Sequence, residues 1–223
     1  MTVFHRLEGQ LHVEGLPLEK VAEEFGTPAY VYSKAAITSA YQAFDGAFSG
    51  HEHLVCYAVK ANSNLSLLAL LAKLGSGFDI VSGGELRRVL LAGGDPGKVV
   101  FSGVGKAAWE IKAALAAKIA CFNMESASEL QLINKIAGEL GVVAGVSVRV
   151  NPDVDPRTHP YIATGLRENK FGVAWQDAIG IYDQAAQLPS VKVLGMDCHI
   201  GSQVTEPSPY LAALDRLLEL VQA

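Results

Sequence analysis

Six apolar runs of strand length alternate along this chain with helical patterns, and the runs end in or near polar residues. That alternation predicts an α/β fold of parallel βαβ units with right-handed crossovers. The runs are almost continuously apolar, as strands are when both faces of a sheet are covered. The polar strand ends then select the architecture. An open, doubly wound sheet gathers ligands at its switch point, whereas a barrel collects side chains from the C-terminal end of every strand. No G-x-G-x-x-G follows the first run, so the dinucleotide fingerprint is missing. The prediction is a TIM-like (β/α)8 barrel of which this chain carries about six strands.

Taken in order, residues 1–28 are a loosely patterned N-terminal segment, with Leu11-His-Val13 as a short strand and 17–25 as a short helix stopped by Gly26. Residues 29–223 are expected to be the barrel. Ala29-Tyr-Val-Tyr32 reads as a strand, and Ser33 as the N-cap of a helix over 34–48. The apolar runs follow at 54–59, 77–81, 98–102, 119–122, 144–150 and 193–198. Helical spacing fills 64–74, 84–92, 107–117, 129–140, 175–188 and 209–221. Ser126-x-x-Glu129 is a capping-box signal. A six-stranded arc leaves two edges unpaired and a core half exposed. The last helical pattern has no stop signal, so the chain reads as the front part of a longer protein.

Half of the 223 residues are hydrophobic and 18% are charged, which is enough for a substantial core. A net charge of -5, a pI near 5.7 and the absence of a basic cluster argue against nucleic acid. The apolar runs are too short to span a membrane. No signal-peptide core opens the chain, and a cytoplasmic protein is expected. Cys56, Cys121 and Cys198 sit far apart in apolar runs. They fit no metal spacing and read as small buried hydrophobes.

The first run closes in Val55-Cys-Tyr-Ala-Val-Lys-Ala-Asn62. Alternation puts Lys60 on one face with Ala58 and Cys56, opposite Tyr57 and Val59. A lysine at a buried strand end is costly while charged. Burial lowers its pKa, and a neutral amine attacks a carbonyl to form a Schiff base. The competing reading is a strand that ends where its lysine meets water. Asp79 stands at the next strand end, before a glycine turn, where it orients a cofactor or pairs with a nearby base. Glu85 falls at a helix N-terminus, where a carboxylate suits the dipole in any case. Arg149 shares parity with Ser147 and, if buried, needs an anionic or hydrogen-bonding partner. Asp79 and a cofactor oxygen are the candidates. Residues 151–172, with Asp153, Asp155, His159, Arg167 and Lys170, form the one long connection, of the length that functional loops have. In His199-Ile-Gly-Ser-Gln203, Gly201 permits close backbone approach to a ligand and the Ser202 hydroxyl can donate to a phosphate oxygen. The flat imidazole of His199 suits stacking on a ring.

Five motifs then occur in order: Tyr57-Ala-Val-Lys-Ala-Asn62, Phe78-Asp-Ile-Val-Ser-Gly-Gly-Glu85, Arg149-Val-Asn-Pro-Asp-Val154, Lys170-Phe-Gly172 and His199-Ile-Gly-Ser-Gln203. From about Thr27 onward the chain resembles the pyridoxal-phosphate-dependent decarboxylases built on an alanine-racemase-like barrel. It is most similar to those acting on diaminopimelate in bacterial lysine synthesis. The resemblance implies that Lys60 carries the cofactor as a Schiff base, that His199 stacks on its pyridine ring and that Ser202 helps hold its phosphate. It places Asp79, Glu85 and Arg149 around the cofactor, with the long connection beside them. It also implies a homodimer with shared active sites. The family's glycine-rich phosphate loop, its Glu-Pro-Gly-Arg motif and its C-terminal β-domain find no match within these 223 residues.

The implied reaction is decarboxylation of meso-2,6-diaminopimelate to L-lysine and carbon dioxide, with pyridoxal phosphate as cofactor and a small amino acid as the partner. Three alternatives remain open at this point. One is a related arginine, ornithine or carboxynorspermidine-type decarboxylase. Another is a non-catalytic protein that binds pyridoxal phosphate to balance its supply. The third is a barrel fragment that binds nothing and persists only in an assembly.

Overall fold

A computed structural model of the chain describes residues 3–154, 171–202 and 204–222. Asp155, His159, Arg167, Lys170 and Gln203, which the sequence singles out, lie outside the described residues.

The chain opens with an antiparallel sheet of three strands, β1 (Phe4–Leu7), β2 (Gln10–Val13) and β3 (Leu16–Pro17). Glu8 and Gly9 turn the first hairpin with φ of 51° and 84°, the paired positive values that match strand twist. Helix α1 (Leu18–Phe25) follows, then α2 (Lys34–Gly46). Ser33 caps α2 as expected: its Oγ accepts from Ala36 N at 2.9 Å and donates to Glu14 Oε1 at 2.6 Å. Glu14 also accepts from Ala35 N, so the N-terminal sheet is fastened to the start of α2. Residues 29–32, expected as a strand, carry no sheet pairing. Their β-formers have no neighbouring strand to bond, and Tyr30 is 91% exposed.

From residue 56 on, strand and helix alternate. The order is β4 (Cys56–Ala58), α3 (Leu65–Leu74), β5 (Gly77–Ile80), α4 (Gly83–Leu91), β6 (Val99–Phe101), α5 (Ala108–Ala117), β7 (Cys121–Met124), α6 (Ala127–Glu139) and β8 (Ala144–Asn151). Then come β9 (Val173–Ala174), α7 (Ala178–Ala186), β10 (Val191–Asp197) and α8 (Ser208–Gln222). Six strands line up in parallel as β4-β5-β6-β7-β8-β10, and the short β9, which has no counterpart in the sequence reading, pairs with the end of β8. This is the expected incomplete α/β barrel. Among the described residues β4 pairs only with β5 and β10 only with β8, and Leu54 and Leu194 beside those edges are half exposed.

The two faces of this arc differ in chemistry. One parity of the four central strands, including Phe78, Ile80, Phe101, Phe122, Met124, Val146 and Val148, is buried. It packs with Leu68, Leu71, Val89, Ile111, Leu130 and Ile133 from the covering helices, and that layer is the core. The rings of Phe101 and Phe122 stack there with centroids 6.0 Å apart. The other parity points to the concave side. It carries Asp79, Ser102, Asn123, Ser147, Arg149 and Asp197, so the same alternation that builds the core gathers polar groups inside the arc. No helix among the described residues is long and apolar enough to cross a membrane.

Candidate active site

A cavity of about 440 Å3 opens at the C-terminal ends of the strands. Its lining includes Lys60, Asp79, Ser102, Asn123, Arg149, Asp197, His199 and Ser202. Five of the six residues expected at the site therefore meet there. Glu85 does not. Its Oε2 accepts from Val81 N at 2.8 Å while Ser82 Oγ accepts from Glu85 N, a capping box that closes the first turn of α4. A larger groove of about 580 Å3 between α2 and α3 has Lys34 and Lys73 as its charged lining and none of the strand-end residues. The strand-end polar residues gather at the first cavity.

Lys60 is placed differently from the expectation. Strand β4 stops at Ala58, and Val59–Ala61 form a 3-10 turn. The turn puts Val59 in the core, fully buried, and sends Lys60 outward to the cavity, where it is exposed. Among the described residues it forms no ion pair, although its charge is felt by Asp79 and His199.

Asp79 accepts a hydrogen bond from Ser102 Oγ at 2.6 Å, and Ser102 Oγ in turn accepts from Asn123 Nδ2 at 3.1 Å. Burial raises the Asp79 pKa, and the Ser102 bond and the nearby Lys60 charge offset part of that. Arg149 does not pair with Asp79, the protein partner the sequence suggested. Its Nη1 lies 2.8 Å from Glu125 Oε1 and its Nε 3.9 Å from Asp197 Oδ2. Strand register decides this, because Arg149 sits opposite Asp197 on β10. Burial pushes Asp197 up to about 6, with the Asp79 and Glu125 charges adding to it and Arg149 opposing. His199 is lowered from its ordinary value, first by burial and then by the Arg149 and Lys60 charges. The shift favours the uncharged, flat imidazole. The long connection returns at the cavity wall, where the Phe171 ring stands 5.6 Å from the Arg149 guanidinium.

Beneath this floor lies Lys106, whose side chain is 1% exposed. Its ammonium donates to Gly103 O, Asn123 O and Glu129 Oε1 at 2.7–2.8 Å, so every proton has an acceptor. Glu129 Oε2 accepts from Glu125 N at 3.0 Å while Ser126 Oγ accepts from Glu129 N, as the capping-box signal predicted. Lys106 and the Glu125 contacts have no sequence signal of their own. Among the described residues no group of His, Cys, Asp and Glu has the arrangement to hold a metal ion.

Residues 34–223 match the family model described as pyridoxal-dependent decarboxylase, pyridoxal binding domain. The chain belongs to this family. Its relatives include diaminopimelate decarboxylases of Haemophilus influenzae, 57% identical over 100% of this chain and 54% of the relative, and of Pseudomonas aeruginosa, 58% identical over 99% and 53%. Among solved structures, diaminopimelate decarboxylase from M. jannaschii in co-complex with L-lysine matches with a TM-score of 0.92 at 42% identity, covering 99% of this chain and 52% of that one. The Helicobacter pylori enzyme complexed with L-lysine matches with a TM-score of 0.89 at 44% identity, over 92% and 52%. The chain spans about half the length of these relatives. The family's pyridoxal group suits what the cavity presents: a lysine amine with no ion pair among the described residues, an imidazole plane, a hydroxyl and charged groups of both signs.

Proposed function

We propose that this chain is the cofactor-bearing part of a diaminopimelate decarboxylase, which converts meso-2,6-diaminopimelate to L-lysine and carbon dioxide with pyridoxal phosphate. The observation that carries the reading is a single cavity lined by Lys60, Asp79, Arg149, His199 and Ser202. The 57–59% identity to diaminopimelate decarboxylases over nearly the whole chain supports the choice of substrate.

The cavity has the volume of a small-ligand site. In this reading Lys60 holds the cofactor covalently, His199 lies against its ring and Ser202 grips its phosphate. When bound, pyridoxal phosphate supplies an electron sink for the bonding pair that a departing carboxylate leaves behind. The chain's own residues do the rest. Lys60 Nζ, carried on the 3-10 turn and close enough to influence Asp79, would bind the cofactor and move a proton at its amine. Asp79, steadied by Ser102, keeps a carboxylate beside that amine. Burial first, and then the positive charge that Arg149 places at the wall shared with Asp197 and His199, disfavours protonation of the imidazole. Holding cofactor and substrate in one geometry is the protein's contribution to rate.

The reading takes 29–223 as the cofactor-binding barrel and 1–28 as a separate N-terminal segment. It carries with it a homodimer and a cytoplasmic location, and it includes neither nucleic acid nor membrane as a partner. The test compares product formation from meso-diaminopimelate, arginine and ornithine with added cofactor. Preference for arginine or ornithine would replace the substrate. Cofactor held at Lys60 without turnover on any of the three would restrict this chain to cofactor binding.

A further inference from the structure

Glu125 has no part in the chemistry above, yet it bonds two residues that line the cavity, Gly103 and Arg149. Its side chain is 3% exposed. Oε1 accepts from Arg149 Nη1 at 2.8 Å and from Gly103 N at 3.1 Å, and Oε2 accepts from Gly172 N at 3.2 Å. The donors come from β8, from the β6–α5 loop and from the point where the 151–172 connection returns. Gly172 reaches this place only as glycine. Its φ is +79°, and a Cβ there would stand 2.9 Å from Arg149 O. The preceding residue, Phe171, covers the same guanidinium. One buried carboxylate therefore bonds the cavity's arginine and the returning connection together.

We propose that Glu125 is a positioning residue of the cofactor site, aiming the Arg149 guanidinium at the cavity and tying the end of the 151–172 connection to it. The inference rests on the reading of the cavity as a pyridoxal phosphate site. The carboxylate is required because both of its oxygens must accept. In Glu125→Gln one of the two becomes an amide that only donates. If the amide oxygen faces Arg149 and Gly103, Gly172 N loses its acceptor. If it faces Gly172, donor meets donor at Arg149.

The experiment uses the purified full chain as wild type, Glu125→Gln, Arg149→Gln and the double variant. Pyridoxal phosphate affinity is read by absorbance titration. Two readouts without cofactor accompany it: rotation of the Arg149 guanidinium by nitrogen NMR, and the rate of proteolytic cleavage within 151–172. Glu125→Gln is expected to weaken the cofactor roughly ten- to hundredfold, the range for losing a hydrogen bond to a charged group. It is also expected to free the guanidinium and speed cleavage. The double variant is expected to bind no more weakly than Arg149→Gln, because Glu125 acts through that residue. Wild-type affinity in Glu125→Gln, additive losses in the double variant, or an Arg149 that stays restricted would each overturn the proposal. Should Glu125→Gln not fold, Glu125→Asp draws the carboxylate back by one methylene from both Arg149 and Gly172, and wild-type affinity together with wild-type cleavage there overturns it. A wild type that takes up no cofactor at Lys60 removes the functional reading instead. The guanidinium and cleavage readouts then still decide whether Glu125 holds the two elements together.

Discussion

Replacing Lys106 with methionine removes the most enclosed charge near the cavity while keeping most of its volume. The ammonium leaves behind the Glu129 carboxylate, whose side chain is 9% exposed, and two carbonyls, those of Gly103 and Asn123. Breaking a buried pair by removing one partner costs about 3–5 kcal/mol, because the other charge stays desolvated and uncompensated. That is a large share of a typical domain stability of ~5–15 kcal/mol. The cost should also depend on pH. Burial raises the Glu129 pKa, and Lys106 is the first group that opposes the rise. A carboxyl whose folded pKa lies above its unfolded value gives stability that is intact below the unfolded value and lost as pH climbs through the folded one. Removing Lys106 enlarges that rise, so the gap between Lys106→Met and wild type should be small near pH 4 and widen towards pH 7. Urea unfolding at both pH values measures it. Lys106→Met/Glu129→Gln should recover part of the loss, since no buried charge is then orphaned. A loss under about 1 kcal/mol at pH 7, or one independent of pH, would refute the burial argument.

Asp197 is raised from 3.8 to about 6, worth about 3 kcal/mol between its protonation states. Wild type should therefore lose stability relative to Asp197→Asn as pH rises from 4 to 7, and the difference between their unfolding free energies at those pH values checks it. Burial pushes the thiols of Cys56, Cys121 and Cys198 to about 11, 12 and 11. Alkylation of the native chain at pH 8 should run roughly a hundredfold slower at Cys56 and Cys198, and roughly a thousandfold slower at Cys121, than in the unfolded chain, because the thiolate is the reactive form. Native rates equal to unfolded ones would place these thiols in solvent.

The six parallel strands and the helices between them were legible because each apolar run is bounded by polar residues, and observed ends fall within a few residues of the expected ones. Ser33 and Ser126 announced their helices, since a cap needs only its local sequence. What stayed hidden depends on who sits beside whom. Residues 29–32 have strand composition, but pairing needs a neighbour that composition does not supply. Lys60 was expected inside the strand pleat, and the 3-10 turn at Val59–Ala61 carries it out. Arg149 was matched to Asp79 because both are strand-end residues; register instead faces it to Asp197 and brings Glu125 to its fork. Glu85 was carried to the site by its motif, while its side chain closes a helix turn. Strand-end polarity announced that polar groups would gather on one face, but not what each of them holds.

Borohydride reduction of the chain with bound pyridoxal phosphate, followed by peptide mapping, tests the central claim most directly. The account predicts a lysine-linked absorption band, a reduced adduct on the peptide carrying Lys60, and loss of both in Lys60→Ala. An adduct spread over surface lysines such as Lys34 and Lys73, or one that survives Lys60→Ala, would contradict it.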